Sequence, residues 1–355
     1  MKFIEYAKEY VPKINEEIKS VFDKRLDKVN NRFLKDYYNE LSDYFLSGGK
    51  RIRPLTCIAA YNAFCKTDPE NISKASIGTE FLHNASLIHD DIIDKDDYRR
   101  GKPSFHYRFR KYHAKYDLKK MVAEDYGNDM GILGGDSSYF FGLGAYNSNG
   151  FEDDLNFQAI QYYEQAFHEV CDGVLIEIDM VNKANLTMDD YIEMISLKTG
   201  ALIEKSIIIG ANYAGVDKNK KKLLSTYGKN LGIIFQIIDD ILGTFGDEKV
   251  TGKPTDGDIR EGKKTALLIT ALDAFSGESK DKLIELSEKQ DITDEEVIVV
   301  RELFKEADAV ESAKDLATLY YEEAKNALED LKSTMRESEI EFFENLLKFV
   351  LERNF

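Results

Sequence analysis

Residues 81–94 read FLHNASLIHDDIID, an apolar stretch with helical spacing that carries three aspartates near its end. Asp90 and Asp94 are four residues apart, so on a helix they share one face about one turn apart. Two carboxylates in that arrangement offer oxygen ligands to a hard cation. Because an unpartnered carboxylate is costly to bury, this stretch predicts a helix whose aspartates hold Mg²⁺.

Apolar residues recur at helical spacing along most of the chain. Only 5 of 355 residues are proline, and none lies between Pro103 and Pro254, which favours helices over sheets. No segment alternates as a strand does. The pattern predicts one all-α domain over residues 1–355, a single large helical bundle. The strongest predicted helices are Ile72–Ile93, Asp154–Asn182, Leu186–Asn212, Lys218–Leu242 and Lys264–Phe275.

A second acidic cluster lies in FQIIDDILG at residues 235–243, where Asp239 and Asp240 end another apolar helix. One aspartate doublet alone is commonly just the solvated end of a helix. Two doublets inside core-like sequence favour metal ligation, because each needs a partner for a buried charge. We therefore expect the two aspartate-bearing helices to face each other across a cavity.

Basic residues cluster beside these motifs in GGKRIRP (48–54), DDYRRGKP (96–103) and EKVTGKPTDGDIREGKKT (248–265). Arginine and lysine next to acidic metal sites indicate a ligand with several negative charges, held by Mg²⁺ on one side and by cations on the other. A diphosphate has this chemistry. The polar stretch 246–262 is long enough to predict a lid over the active site.

Net charge, cysteine spacing and the distribution of apolar residues argue against several other classes of protein. Lys+Arg 48 minus Asp+Glu 65 gives −17, which disfavours nucleic acid and anionic membrane surfaces. The three cysteines have no CxxC spacing and predict neither a disulfide framework nor a thiolate zinc site. No apolar stretch approaches the length of a membrane span, and the amino-terminus has no secretory pattern. These features predict a cytoplasmic protein without stable membrane insertion.

The motifs GGKxxRP, HDDxxD, RRGKP, KTG, FQxxDD, GKPxxxDI and GKKT occur in this order between residues 48 and 265. The set resembles the trans-isoprenyl diphosphate synthases, or polyprenyl synthetases, and is most similar to archaeal geranylgeranyl diphosphate synthases. The resemblance implies the isoprenoid synthase fold around a central prenyl diphosphate cavity. It also implies a homodimer that uses three Mg²⁺ ions to condense isopentenyl diphosphate with an allylic diphosphate.

The resemblance assigns roles to residues that match the motifs. The metal ligands are Asp90, Asp94, Asp239 and Asp240, and Asp91 and Asp240 would act partly through water. The allylic diphosphate is assigned to Arg99, Lys198, Lys253 and Lys263, and isopentenyl diphosphate to Lys50, Arg53, His83 and Arg100. Thr199, Gln236 and the Lys198 carbonyl would stabilise the allylic cation.

Product length is predicted from residues one or two turns before Asp90. Ala85 and Ser86 are small where short-product relatives carry an aromatic residue, so the tunnel extends past the C15 stage. Leu82, or the aromatic run at residues 139–141, would stop growth farther on. We expect geranylgeranyl diphosphate, and a C25 to C30 or longer product is the alternative.

Two positions depart from the family pattern. Gly243 stands where many relatives carry the last aspartate of the second motif, which leaves the water-mediated part of the third metal site open. Val174 replaces the glutamine of GQxxD, and the role of Glu177 in that motif is open. The terminal Arg353 either reaches the isopentenyl diphosphate pocket or lies exposed.

Three other functions fit part of this pattern. A terpene cyclase would also ionise a prenyl diphosphate, but it has no use for the GGKRIRP motif, which serves the second substrate. A non-catalytic subunit typically loses aspartates from one cluster, whereas this chain keeps both. A helical scaffold explains the periodicity but not the ordered motifs.

Overall fold

The computed structural model describes residues 2–65, 67, 69–147, 149–183, 185–246 and 255–353. Within these ranges the chain is predominantly helical and has almost no strands, which confirms the all-α prediction. The helices are α1 Phe3–Leu26, α2 Arg32–Leu46, α3 Ile52–Phe64, α4 Pro69–Ile93, α5 Phe105–Lys115, α6 Ala123–Gly144, α7 Asp153–Met180, α8 Met188–Ile195, a π-helix Ser196–Gly200, α9 Ala201–Tyr213, α10 Lys218–Phe245, α11 Gly257–Arg260, α12 Ala266–Ala274, α13 Glu278–Ser287, α14 Asp294–Glu306, α15 Ala309–Glu329 and α16 Glu337–Leu351.

The predicted helix over residues 186–212 differs from the structure. In the structure this segment consists of α8, the π-helix and α9, so one turn of the helix, Ser196–Gly200, is wider than an α-helical turn. The backbone N–H of Ala201 donates to the carbonyl of Ser196, five residues back. Apolar periodicity averages over several turns and does not register a single widened one.

A short hairpin also departs from the all-helical prediction. β1 (Tyr98–Arg99) pairs with β2 (Lys102–Pro103) in an antiparallel register that places Arg99 opposite Lys102. The two turn residues, Arg100 and Gly101, both have positive φ, as a tight two-residue hairpin requires. Strands of two residues are too short to show alternation in the sequence.

The chain forms two compact units. The first comprises Met1–Glu164, Ser206–Asp217 and Met335–Phe342. Its core includes an aromatic cluster that we define as Phe22, Phe45, Phe81 and Phe141, contributed by α1, α2, α4 and α6. The ring centroids in contact lie 4.7 to 5.9 Å apart. This cluster fixes the part of α4 that lies before the first aspartates.

The second unit comprises Gln165–Lys205, Lys218–Thr334 and Phe343–Phe355. Here α10 packs along α15, whose buried face carries small residues such as Ala313 and Ala317. The Tyr227 hydroxyl on α10 donates to the carbonyl of Phe343, at 2.7 Å. These contacts hold the helix that ends in the second pair of aspartates. The prediction of a single domain stays a prediction.

In the described part of the chain, no helix combines the length and apolarity needed to cross a membrane. In the described residues, Cys57, Cys65 and Cys171 are present as thiols rather than in disulfides.

Phe22→Ala should destabilise the protein by about 3–5 kcal/mol, because the ring is fully buried against three other phenylalanines. Ile4→Ala, on the exposed side of the same helix, is the control and should change stability by less than about 0.5 kcal/mol. Denaturant unfolding of both variants measures the difference. Equal losses in the two variants would contradict the role given to the aromatic cluster.

Candidate active site

The first aspartate pair lies at the carboxyl end of α4. Asp90 and Asp91 occupy its last turn, and Asp94 follows directly, with its N–H donating to the Asp90 carbonyl at 2.8 Å. Asp90 and Asp94 are half-buried, whereas Asp91 is fully buried. The doublet therefore presents one carboxylate to solvent and keeps the other inside.

The buried Asp91 is satisfied by protein groups. The Arg99 guanidinium donates to Asp91 Oδ1 through Nε and Nη2, both at 2.5 Å, and the Tyr44 hydroxyl donates to Oδ2 at 3.5 Å. Arg99 Nη2 also lies 3.5 Å from Asp90 Oδ2. Burial alone would lower the pKa of Arg99, but Asp91 and Asp90 raise it, so this arginine stays charged. Asp91 thus orients Arg99 beside the metal-binding candidates.

The hairpin that carries Arg99 also directs Arg100 to the glycine loop before α3. Arg100 Nη1 donates to the carbonyl of Gly48 at 3.0 Å. A Cβ on Gly49 would lie 3.0 Å from the same nitrogen, and φ at this residue is +121°. Only glycine combines that backbone conformation with such a close approach, which explains the second glycine of GGKRIRP.

Residues assigned to isopentenyl diphosphate lie together in the first unit. Burial lowers the pKa of Arg53 to about 10; Glu80 opposes this shift, and the charge of Arg100 adds to it. Burial, and then the charges of Arg53 and Arg100, lower the pKa of His83 well below its usual value, so its imidazole is neutral. The buried Nε of Arg53 has no hydrogen-bond partner in the described residues. The positive charges of Arg53 and Arg100 therefore lie close to each other, an arrangement that an anion would stabilise. Lys50 lies exposed on the same loop.

The second aspartate pair lies near the end of α10 and repeats the pattern of the first. The Asp239 side chain is 53% exposed, whereas Asp240 is 6% exposed. The Tyr191 hydroxyl donates to Asp240 Oδ2 at 2.6 Å, and Gln236 Nε2 donates to Oδ1 at 2.8 Å. Burial and the nearby charge of Asp258 raise the pKa of Asp240 to about 8, while the two hydrogen bonds oppose this.

The KTG motif lies in the π-helix, whose backbone is in close contact with the backbones of α7 and α10. A Cβ on Gly173 of α7 would lie 2.3 Å from the Lys198 nitrogen, and one on Gly232 of α10 would lie 2.4 Å from the Gly200 Cα. Side chains at these positions would push the helices apart. The glycines therefore fix the depth at which the widened turn lies, and such turns are frequent at functional sites.

Polar groups of this turn are ordered by a hydrogen-bond chain. The Thr199 hydroxyl donates to Gln236 Oε1 at 2.7 Å, and Gln236 donates in turn to Asp240. Since the Thr199 hydrogen is used, its oxygen lone pairs remain for another group. Lys198 Nζ pairs with Glu177 Oε2 at 2.5 Å, so Glu177 of the altered GQxxD motif contacts the lysine.

Gly243 makes room for a carboxylate from another element. A Cβ at Gly243 would lie 2.9 Å from Asp258 Oδ2, so Asp258 of α11 occupies the space beside it. Lys263 Nζ lies 3.8 Å from Asp258 Oδ1 and 2.9 Å from Glu261. Lys253, also assigned to the allylic diphosphate, lies outside the described residues, as does much of the predicted lid.

Arg353 lies beside the second aspartate pair, and its proposed contact with isopentenyl diphosphate stays a prediction. Its Nη1 lies 3.5 Å from Asp239 Oδ1, and its guanidinium stacks 4.6 Å from the centroid of the Phe235 ring. The carboxylate and the ring attract the cation together, which explains why the side chain is only 20% exposed.

The donor chemistry of both aspartate pairs fits Mg²⁺. Within the described ranges, no three carboxylate, imidazole or thiol side chains group closely enough to hold a metal by themselves. Mg²⁺ commonly uses one or two carboxylates and completes its shell with water and substrate phosphates. Asp90 with Asp94, and Asp239, supply that kind of partial donor set. Metal ligation by these residues and by Asp240 stays a prediction, as does the facing of the two helices.

Sequence reasoning missed the residues that support the site from other helices. Tyr44 and Tyr191 donate to the buried aspartates from positions 47 and 49 residues away. No local pattern marks such partners, because the contacts form only on folding. Asp258 belongs to the GKPxxxDI motif, but the sequence does not predict that it lies beside Gly243, because the two residues are in different elements.

Known proteins resemble the chain over almost its whole length. The sequence model of the polyprenyl synthetase family matches residues 35–306. A short chain isoprenyl diphosphate synthase of Methanocaldococcus jannaschii is 37% identical over 300 residues, covering 84% of this chain and 83% of the relative. A geranylgeranyl diphosphate synthase of Sulfolobus acidocaldarius is 32% identical over 340 residues, covering 95% and 94%.

Solved structures similar to this fold belong to the same class of enzyme. The crystal structure of a geranylgeranyl pyrophosphate synthase from Corynebacterium glutamicum, complexed with isoprenyl diphosphate and magnesium, superposes with a TM-score of 0.92. It is 27% identical in sequence, and the match covers 100% of both chains. The ordered motifs, the paired aspartates and these matches agree: the chain belongs to the polyprenyl synthetase family of prenyltransferases and has its all-α isoprenoid synthase fold.

Proposed function

We propose that the protein condenses isopentenyl diphosphate head-to-tail with an allylic diphosphate, with Mg²⁺ as cofactor and geranylgeranyl diphosphate as the main product. The observation that carries this proposal is the cluster of Arg53, His83 and Arg100, in which the buried Arg53 Nε has no partner among the described residues. A pocket for a second diphosphate separates a synthase that joins two substrates from a terpene cyclase. The family match supports the same assignment.

The isopentenyl diphosphate is bound by charge and by neutral donors. Arg53 and Arg100 neutralise its negative charge, and Lys50 adds a cation from the rim of the loop. His83 is neutral, so its ring donates one hydrogen bond without adding charge. The amino-terminus of α3, which follows Arg51, contributes backbone N–H groups and a favourable dipole.

The allylic diphosphate is the leaving group of the reaction. Arg99, oriented by Asp91, and Lys198, oriented by Glu177, bind its oxygens, with Lys253 and Lys263 as further ligands. Asp90, Asp94 and Asp239, with Asp240, would hold the three Mg²⁺ ions that the family relationship implies. When bound, Mg²⁺ supplies Lewis-acid stabilisation of charge on the departing diphosphate.

Loss of diphosphate leaves an allylic carbocation, which the isopentenyl double bond attacks before a proton is removed. Thr199 stabilises this cation, because its hydroxyl hydrogen points to Gln236 and its lone pairs face the other way. Gln236 is held in one orientation by Asp240, and Asp240 by Tyr191. The released diphosphate accepts the proton, so no dedicated histidine or glutamate base is required.

Product length depends on the side chains that precede the first aspartates. Ala85 and Leu82 are fully buried on α4, and the Ser86 hydroxyl donates to the His83 carbonyl at 2.8 Å. Phe141 belongs to the aromatic cluster, whereas Phe140 is 74% exposed. We infer that Leu82 and Phe141 are better candidates than Phe140 for the end of the tunnel. A C25 or longer product remains the alternative.

The homodimer implied by the family is proposed to form along α6. Ile132, Leu133 and Phe140 on this helix are exposed, and Leu133 and Phe140 are seven residues apart, on one face. Large apolar side chains grouped on one exposed face are typical of an interface. A cytoplasmic location stays a prediction.

Asp90→Asn and Asp239→Asn should each lower kcat by at least about 100-fold, because each change removes one charge from a metal-binding carboxylate. Purified protein is incubated with isopentenyl diphosphate, an allylic diphosphate and Mg²⁺, and the products are sized by chromatography. Asp315→Asn, on the exposed face of α15, is the control. Near-normal turnover in either variant would refute the metal assignment. If the wild-type protein gives a cyclised product without consuming isopentenyl diphosphate, it is a cyclase.

Ser86→Phe should shift the main product to C15 or shorter, because an aromatic ring one turn before Asp90 narrows the path of the growing chain. The product distribution is measured under the same assay conditions. Ser312→Phe, at an exposed position, should leave the distribution unchanged. An unaltered distribution in Ser86→Phe would remove these α4 residues from the control of chain length.

Phe140→Asp should convert the dimer to a monomer, since a charge in an apolar interface is costly to desolvate. Light scattering coupled to size exclusion measures the mass. Ile4→Asp introduces the same charge at an exposed apolar position of α1. A Phe140→Asp protein that remains dimeric would place the interface elsewhere.

A further inference from the structure

Arg51, the central arginine of GGKRIRP, is separated from solvent, unlike the basic residues beside it. Lys50 is exposed and Arg53 is half-buried, whereas the Arg51 side chain is 1% exposed. The motif alone therefore does not distinguish a ligand-binding arginine from one with a different role. The role of Arg51 follows from the groups that surround it.

One guanidinium joins three helices to the loop. Arg51 Nη1 donates to Glu80 Oε1 on α4 at 2.6 Å, and Nη2 donates to the carbonyl of Phe45 on α2 at 2.6 Å. Nε donates to Asn15 Oδ1 on α1 at 3.0 Å. The planar fork of arginine can satisfy three acceptors in these directions at once, and a lysine ammonium cannot reproduce that geometry.

The backbone at Arg51 adopts a conformation that needs such support. Its φ of +52° and ψ of +36° lie in the left-handed region, which is unfavourable for a residue with a Cβ. The Arg51 carbonyl accepts the first hydrogen bond of α3, from Leu55 N at 3.0 Å. The side-chain bonds thus hold the turn that ends the glycine loop and begins the helix carrying Arg53.

Glu80 connects this turn to the other side of the pocket. It is buried one turn before His83 on α4, and Asn84 Nδ2 donates to its Oε1 at 3.0 Å. Burial alone would raise the pKa of Glu80, but Arg51, Arg53 and the Asn84 bond hold it below its usual value. Glu80 is therefore charged, and the Arg51–Glu80 pair ties the start of α3 to the turn of α4 that carries His83.

We propose that Arg51 and Glu80 are positioning residues for isopentenyl diphosphate, which set the placement of Arg53 relative to His83 without touching the substrate. This inference rests on the proposed function, in which Arg53 and His83 bind that diphosphate. The pair adds no net positive charge to the pocket, because Glu80 neutralises Arg51. Its effect on binding is geometric, and it is specific to the second substrate.

Arg51→Lys tests this inference because it keeps the positive charge and removes the three-way fork. The KM for isopentenyl diphosphate should rise about 10-fold, and the KM for the allylic diphosphate should stay within about twofold. The Kd of isopentenyl diphosphate alone, measured by calorimetry without Mg²⁺, should rise by a similar factor. Asn15→Ala removes one of the three hydrogen bonds of Arg51. It should raise the KM and the Kd of isopentenyl diphosphate about two- to threefold.

Lys205→Gln is the control for a general loss of stability. Lys205 is buried on α9 and pairs with Glu169 and Glu204, at 3.0 and 3.1 Å. Its substitution should lower the unfolding temperature and leave the KM for isopentenyl diphosphate unchanged. If Arg51→Lys does not fold, the Asn15→Ala constants decide the question.

Unchanged binding of isopentenyl diphosphate in a folded Arg51→Lys protein would overturn the inference, since charge alone would then suffice. Equal increases in KM for both substrates would also overturn it, because they would show a general structural role. A different result would refute the proposed function: the wild-type protein would form no product from the two diphosphates. In that case the calorimetric Kd of the wild type and the variants still tests the positioning role.

Discussion

A carboxylate is costly to bury unless other groups satisfy it, and both aspartate doublets reflect that constraint. In each doublet the first aspartate is the more exposed and the second is buried. Asp91 accepts hydrogen bonds from Arg99 and Tyr44, and Asp240 accepts them from Tyr191 and Gln236. The buried member of each doublet therefore fixes a neighbouring side chain, Arg99 or Gln236, whereas the more exposed member lies 3.5 Å from an arginine, Arg99 or Arg353.

The second unit extends this ordering into the KTG turn. Thr199 donates to Gln236, and Gln236 and Tyr191 both donate to Asp240, so the direction of every dipole is set. The π-helix that carries Thr199 stays at a fixed depth because Gly173 and Gly232 allow backbone contact on either side. Preorganised dipoles of this kind stabilise charge without reorganisation during the reaction.

The sequence predicts the helical fold well and the supporting contacts poorly. Apolar periodicity placed α4 and α10 within a few residues of their bounds, because burial of one face imposes the repeat. It could not reveal the widened turn at Ser196, since one extra residue barely alters an average over many turns. The same limit applies to Tyr44 and Tyr191, whose roles depend on contacts between distant segments. Motif order indicated the basic pocket, while the burial of Arg51 became visible only in the structure.

The distribution of charge explains how an acidic chain can take acidic substrates. The net charge of −17 would repel diphosphates at long range, but screening at physiological salt limits that effect to about 8 Å. Close to the ligand, the positions of individual charged side chains determine the attraction. Arg51 is neutralised by Glu80 and His83 is uncharged, so the positive charge of the proposed isopentenyl diphosphate pocket resides on Arg53 and Arg100, with Lys50 exposed on the loop before them. Within the GGKRIRP loop, ion pairing thus separates an arginine that holds the structure from one whose charge remains for an anion.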